Sequence, residues 1–554
     1  MEPSLTTSPW NPDRGDGRYR NPILFADYSD PDIVRVGEDI YLVSSSFNHM
    51  PALPILHSRD LVNWTLINHV FARFDLPGYE RFQPGKGVWA PSIRYHAGKF
   101  WVFFSTPDEG IFMCQADDPR GDWSAPHCVQ PAKGWIDPCP FWDDDGSAWL
   151  VHAFAFSRSG RKHQLQLCRM SSDGRQLLDE GRIIVDGTAT QPTLEGPKLY
   201  KRNGWYYIFA PAGGVPTGWQ TVLRAASLQG PWQARVALHQ GRSAVNGPHQ
   251  GGWVELENGE SWFVHFQDRH AYGRVVHLQP MRWQDDWPLI GAQSGDGGPG
   301  EPVEDAVMPA VSADNIRAQP ATSDDFTADQ LGLQWQWQAN PDTGWYELCR
   351  PGLRLFCQPM PQRHGAPSWY DVPNLLMQKF PAETFTVTTR LQAALENVGD
   401  RCGLMVYGER FAFLGLEKTA DGVALTSGYG WMTDAQELRQ YAGPALPVGE
   451  EAHTLELRVT VLPNARCQFA WRTPDGGFTP IGEPFAAGPG KWVGAKIGLY
   501  ALSLPEQRGP GRVDVDFSTL RPERRLRGPH PGRSHQAITR IGPLPAVTPN
   551  SDSR

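Results

Sequence analysis

Through the first half of the chain, short apolar and β-branched runs come in pairs, each pair split by a polar turn. The pair that sets the pattern lies in residues 21–64. IVRV at 33–36 and IYLVS at 40–44 flank a Gly37-Glu38-Asp39 turn. Such runs on either side of a Gly/Asp turn predict a β-hairpin. Ahead of it stands Ser29-Asp30-Pro31-Asp32. A proline restricts the residue before it, so Asp30 is predicted in an extended backbone at the mouth of the first strand. Asp-Pro is also common in plain turns, so this corner alone does not make a site.

The unit recurs. WAPSIRY at 89–95 is answered by KFWVFF at 99–104, and DPCPFW at 137–142 by AWLV at 148–151. EGPKLY at 195–200 is answered by WYYIF at 205–209, and HQGGWVEL at 249–256 by SWFVH at 261–265. The heads return every ~45–60 residues, in the range of propeller blades, and five such units predict a five-bladed β-propeller. Inner strands of a propeller line its axis, so the five heads converge there. Asp30, Asp137 and Glu195 stand at three of them. The polar connectors end at Trp64, Trp123 and Trp232, read as outer-strand turns whose indoles pack between blades.

Residues 291–323 are rich in Gly, Pro, Ala and Ser and read as a linker. Alternating strands then resume, for example at 352–357, 385–391, 403–407, 453–459, 495–500 and 512–517. Many closely spaced strands with almost no helical period predict a β-sandwich of jelly-roll or concanavalin-like form. The expected organisation is an N-terminal arm at 1–20 and the propeller at 21–318. The sandwich follows at 319–524, and a loosely held tail rich in Pro, Arg and Ser at 525–554. The fold class is all-β.

Composition narrows the function. A net charge of −9 with no basic tract argues against nucleic acid or an anionic membrane as partner. No apolar run approaches the ~18–20 residues of a membrane span. The first twenty residues lack the basic start and apolar centre of a secretory signal. The expectation is a cytoplasmic protein as numbered, or a secreted or periplasmic one if a signal was removed. The eight cysteines form no Cys-x-x-Cys pair and are read as mostly reduced and buried. Most of the 22 tryptophans are expected in the β core, with a few on a sugar-binding surface.

Three carboxylates at one axis suit glycoside hydrolysis. One protonates the leaving oxygen and one activates water on the opposite face, the pair standing roughly 6.5–9.5 Å apart in an inverting enzyme. The third can raise the acid's proton affinity by like-charge repulsion.

The order of the Asp-Pro-Asp-Ile corner, Trp89-Ala90-Pro91, Ile136-Asp137-Pro138 and Glu195-Gly196-Pro197 resembles glycoside hydrolase family 43. Residues 58–64 (SRDLVNW) and 273–280 (GRVVHLQP) are similar to its β-xylosidase branch, which often carries a C-terminal sandwich. The resemblance implies Asp30 as general base, with Asp32 its competitor, Glu195 as general acid, and Asp137 as the residue that tunes and orients Glu195. It implies Phe47, Trp89, Ala90 and Ile136 around the terminal sugar, and Arg274 on sugar hydroxyls beside the acids. His249 would meet an axial water or calcium, although its Pro248-His249-Gln250 setting departs from the commoner Gly-His form. Asp325 and Asp516 resemble the edges of sandwich modules that hold a structural calcium, a hard ion suited to oxygen ligands. No cofactor is implied for the chemistry. A sandwich loop is expected to close the pocket and make the enzyme exo-acting.

The implied activity is inverting release of xylose from the non-reducing ends of β-1,4-xylo-oligosaccharides. The implied partners are those oligosaccharides or arabinoxylan fragments, and a homo-oligomer is compatible. An α-L-arabinofuranosidase using the same carboxylates is the alternative. A non-catalytic carbohydrate-binding propeller is the rival from another class, and it would not need all three acids.

Overall fold

A computed structural model of the protein describes residues 8–293, 295, 297–311, 317–349, 351–448 and 454–522. The expected tail at 525–554, the first seven residues of the arm and His453 lie outside the described residues. Five four-stranded antiparallel sheets follow one another in chain order. Their first strands are Asp32–Val36, Trp89–His96, Trp135–Trp142, Lys198–Arg202 and His249–Glu255. These strands pack on one another around a common axis, as the inner strands of a five-bladed propeller. The opening hairpin is as tight as the turn residues require, with Val36 opposite Asp39.

The tryptophan turns sit where the third and fourth strands of a blade join. Trp64 is fully buried between the first and last blades, its Nε1–H donating to Leu61 O at 2.8 Å. Trp123 and Trp232 pack against other blade cores.

The stretch after the last propeller strand, Trp287–Ile290, is no free linker. Gly300 exchanges backbone hydrogen bonds with Ala237 and His239 on an outer strand, and Asp305–Val307 pairs with Arg18–Arg20 of the arm. These bonds satisfy backbone groups on the open edge of a blade and on the arm. The arm is likewise anchored, since Tyr19 is fully buried and its hydroxyl donates to Leu278 O.

The second half is a sandwich of a nine-stranded and a seven-stranded sheet. Strands Leu353–Phe356, Phe385–Ala394, Arg401–Tyr407, Thr454–Leu462, Lys496–Ser503 and Arg512–Pro522 fall on the expected runs. Their inward residues form one core with Phe25, Ala271, Tyr272 and Val275 of the propeller. The two halves therefore share a hydrophobic interior. Met50 and Trp337 also exchange backbone hydrogen bonds across the junction. All eight cysteines are free thiols, six of them buried. Among the described residues no helix is long and apolar enough to cross a membrane.

Candidate active site

At the propeller axis a cavity of about 380 Å³ is lined by Asp30, Phe47, Trp89, Ala90, Ile136, Asp137, Glu195, His249 and Arg274, among others. Three of the five strand heads carry bulges that redirect the side chains there. Register slips occur between Trp89 and Ser92, Ile136 and Cys139, and His249 and Gly251. A bulge bends its strand and redirects the side chain beside it.

Asp30 is not extended as expected. Its φ is +54°, and Asp137, also before a proline, has φ +57°. Proline disfavours the right-handed helical region, but it leaves the left-handed one open to Asp, which tolerates it better than most residues. Tertiary bonds hold Asp30 there. Its Oδ2 accepts from Ser29 Oγ at 2.9 Å and Ser45 Oγ at 2.6 Å, and its Oδ1 from Arg274 Nη1 at 3.2 Å. Ser45 Oγ in turn accepts from Ala90 N–H. Asp32 is fully buried outside the cavity, where its Oδ2 accepts from Ile93 N–H and the Arg94 guanidinium.

Asp137 is 4% exposed, and its Oδ2 accepts from Gly196 N–H at 2.8 Å. Burial, then the nearby Glu195 and Asp30 carboxylates, push its carboxyl up to about 8. Asp137 lies deeper than Glu195, whose side chain is 23% exposed. Glu195 Oε1 lies 3.2 Å from His249 Nε2, but without hydrogen-bond alignment.

Phe47 and Trp89 form one wall, their ring centroids 6.3 Å apart. Phe47 reaches it because Gly87 (φ +90°) lets the backbone pass close, and a Cβ there would sit 2.1 Å from Phe47 O. Trp492, from a sandwich loop, also lines the cavity. Asp27 ties that loop to the propeller, its Oδ1 accepting from Arg274 N–H and its Oδ2 from Gly494 N–H. Trp492, Lys162, Thr193, Val215, Pro216 and Gln250 line the cavity without a sequence signal of their own. The Trp492 setting, Gly490-Lys491-Trp492-Val493-Gly494, marks only a loop with an aromatic tip.

The expected calcium ligands do not assemble. Asp325 Oδ1 accepts from the Thr327 amide and hydroxyl, and Asp516 faces Arg390. Among the described residues no group of three or more His, Cys, Asp or Glu could hold a metal ion, at these positions or around His249.

Comparison with known proteins bears on the same two halves. The profile of glycosyl hydrolases family 43 matches residues 19–288, and that of the beta xylosidase C-terminal concanavalin A-like domain matches 323–521. A protein of Xylanibacter ruminicola provisionally named a beta-xylosidase is 40% identical over 91% of this chain and 90% of its own length. A beta-xylosidase of Formosa agariphila is 30% identical over 93% and 92%. The crystal structure of a xylan beta-1,4-xylosidase from Bacillus halodurans C-125 superposes with a TM-score of 0.80 at 25% identity, covering 91% of this chain and 99% of that one.

Proposed function

Because the chain belongs to glycosyl hydrolases family 43, we propose that it is an inverting exo-β-xylosidase acting on β-1,4-xylo-oligosaccharides. Enzymes of this family need no cofactor for catalysis. The observation that carries the reading is the convergence of Asp30, Asp137 and Glu195 in one cavity walled by both domains.

The terminal xylose sits on the buried floor between Phe47 and Trp89, with Arg274 near its hydroxyls. Asp30, oriented by two hydroxyls and a guanidinium, takes a proton from water as that water attacks the anomeric carbon. Glu195, nearer the mouth, gives a proton to the leaving oxygen, which departs outward. Asp137 keeps a proton in the carboxylate group at neutral pH, because three adjacent negative charges repel one another in a buried site. Trp492 caps the pocket beside Arg274, its ring centroid 5.9 Å from the guanidinium carbon. This wall favours removal of one end unit at a time.

The test is hydrolysis of xylobiose by Asp30→Ala and Glu195→Ala. Each is expected to lose nearly all turnover while keeping the native circular dichroism spectrum. Near-normal turnover in either would reject the assignment. Release of arabinose from an α-L-arabinofuranoside, without xylose from xylobiose, would keep the mechanism and change the substrate.

A further inference from the structure

The cavity has a buried floor and an exposed mouth, and the mouth carries positive charge. Lys162 lines the cavity and is exposed. It stands in Arg158-Ser159-Gly160-Arg161-Lys162-His163, a segment fixed beside the proposed acid. His163 Nδ1 accepts from Thr193 N–H, two residues before Glu195. Lys491 neighbours the cavity-lining Trp492, its Nζ 4.7 Å from that ring centroid. Lys86 and Arg158 share one carboxylate, Asp108, at 3.5 and 3.3 Å. Among the described residues neither Lys162 nor Lys491 is paired with a carboxylate. Such a rim is notable in a chain of net charge −9.

The rim cannot serve the terminal sugar, which lies deeper. It faces the sugar that departs, because the leaving oxygen exits past Glu195. We infer that the mouth is a subsite for an acidic leaving group, with Lys162 reading the carboxylate of a uronic acid borne by the second xylose. This rests on the xylosidase reading above. A branch on the second sugar fits only outside the floor, and the exposed Lys162 side chain is free to meet a carboxylate there. Lys491, beside Trp492, adds to the local field.

The experiment compares kcat/KM for two substrates on the full chain: plain xylotriose, and xylotriose with glucuronic acid on its middle unit. Hydrolysis of xylotriose tests the xylosidase reading alone, and the ratio of the two constants tests the subsite. Exposed ion pairs are weak, so Lys162→Gln is expected to lower the ratio of acidic to neutral substrate by roughly 2- to 5-fold. Lys162→Glu should lower it further and Lys162→Arg should restore it. Raising salt should shrink the wild-type ratio, because exposed charges are screened. An equal change on both substrates would mean that Lys162 only balances the pocket carboxylates, and would overturn the inference. So would a ratio indifferent to Lys162 and to salt.

Discussion

Asp137 is expected to make the protein less stable as pH rises, and Asp137→Asn to remove that dependence. The unfolded carboxyl loses its proton near 3.8, the folded one near 8. Between those values the folded chain holds a proton that the unfolded chain has lost. The stability this contributes is fully present below 3.8 and is lost as pH rises through 8. A gap of about 4 pH units at about 1.36 kcal/mol each sets a ceiling of roughly 5 kcal/mol. Because Glu195 and Asp30 share the effect, the realised change is smaller. The amide still offers an oxygen to Gly196 N–H, so the substitution removes the charge and keeps the contact. The assay is urea unfolding followed by tryptophan fluorescence at pH 5 and pH 9. The margin by which the variant exceeds the wild type should be small at pH 5 and much larger at pH 9. Parallel pH dependences would refute the claim that this buried carboxyl carries the electrostatic cost of the site.

Arg274→Met leaves Asp30 buried without the cation 3.2 Å away, and should lower stability by roughly 3–5 kcal/mol, read as a shift in the urea midpoint. Trp492 is 45% exposed, so Trp492→Ala should leave the melting temperature nearly unchanged. Covering the rest of the ring with a sugar is worth roughly 1.5 kcal/mol, so KM for xylobiose should rise about tenfold. An unchanged KM would remove Trp492 from the pocket.

The propeller was legible because each blade repeats the same local grammar. The hairpin at 33–44, the head at 137–142 and the tryptophan turns all follow from alternation and turn chemistry within a few residues. The acids were legible as strand heads, which the architecture gathers. The backbone of Asp30 was not, because its φ of +54° is imposed by Ser45 and Arg274, far away in sequence. Trp492 was illegible for the same reason. It meets the pocket through Asp27, whose two oxygens join residues 274 and 494. The segment after residue 290 reads as a linker by composition, yet it pairs with blade edges that only the folded propeller creates. The raised proton affinity at Asp137 depends on relative depth, which no spacing encodes.

The central claim is direct displacement by water activated at Asp30, with Glu195 as acid. It is tested most directly by proton NMR of xylobiose hydrolysis in the first moments, before the released sugar mutarotates. Inversion predicts that xylose from the non-reducing end appears first as the α-anomer. β-Xylose appearing first would mean a covalent intermediate on a carboxylate, and would contradict the assignment of Asp30 as base.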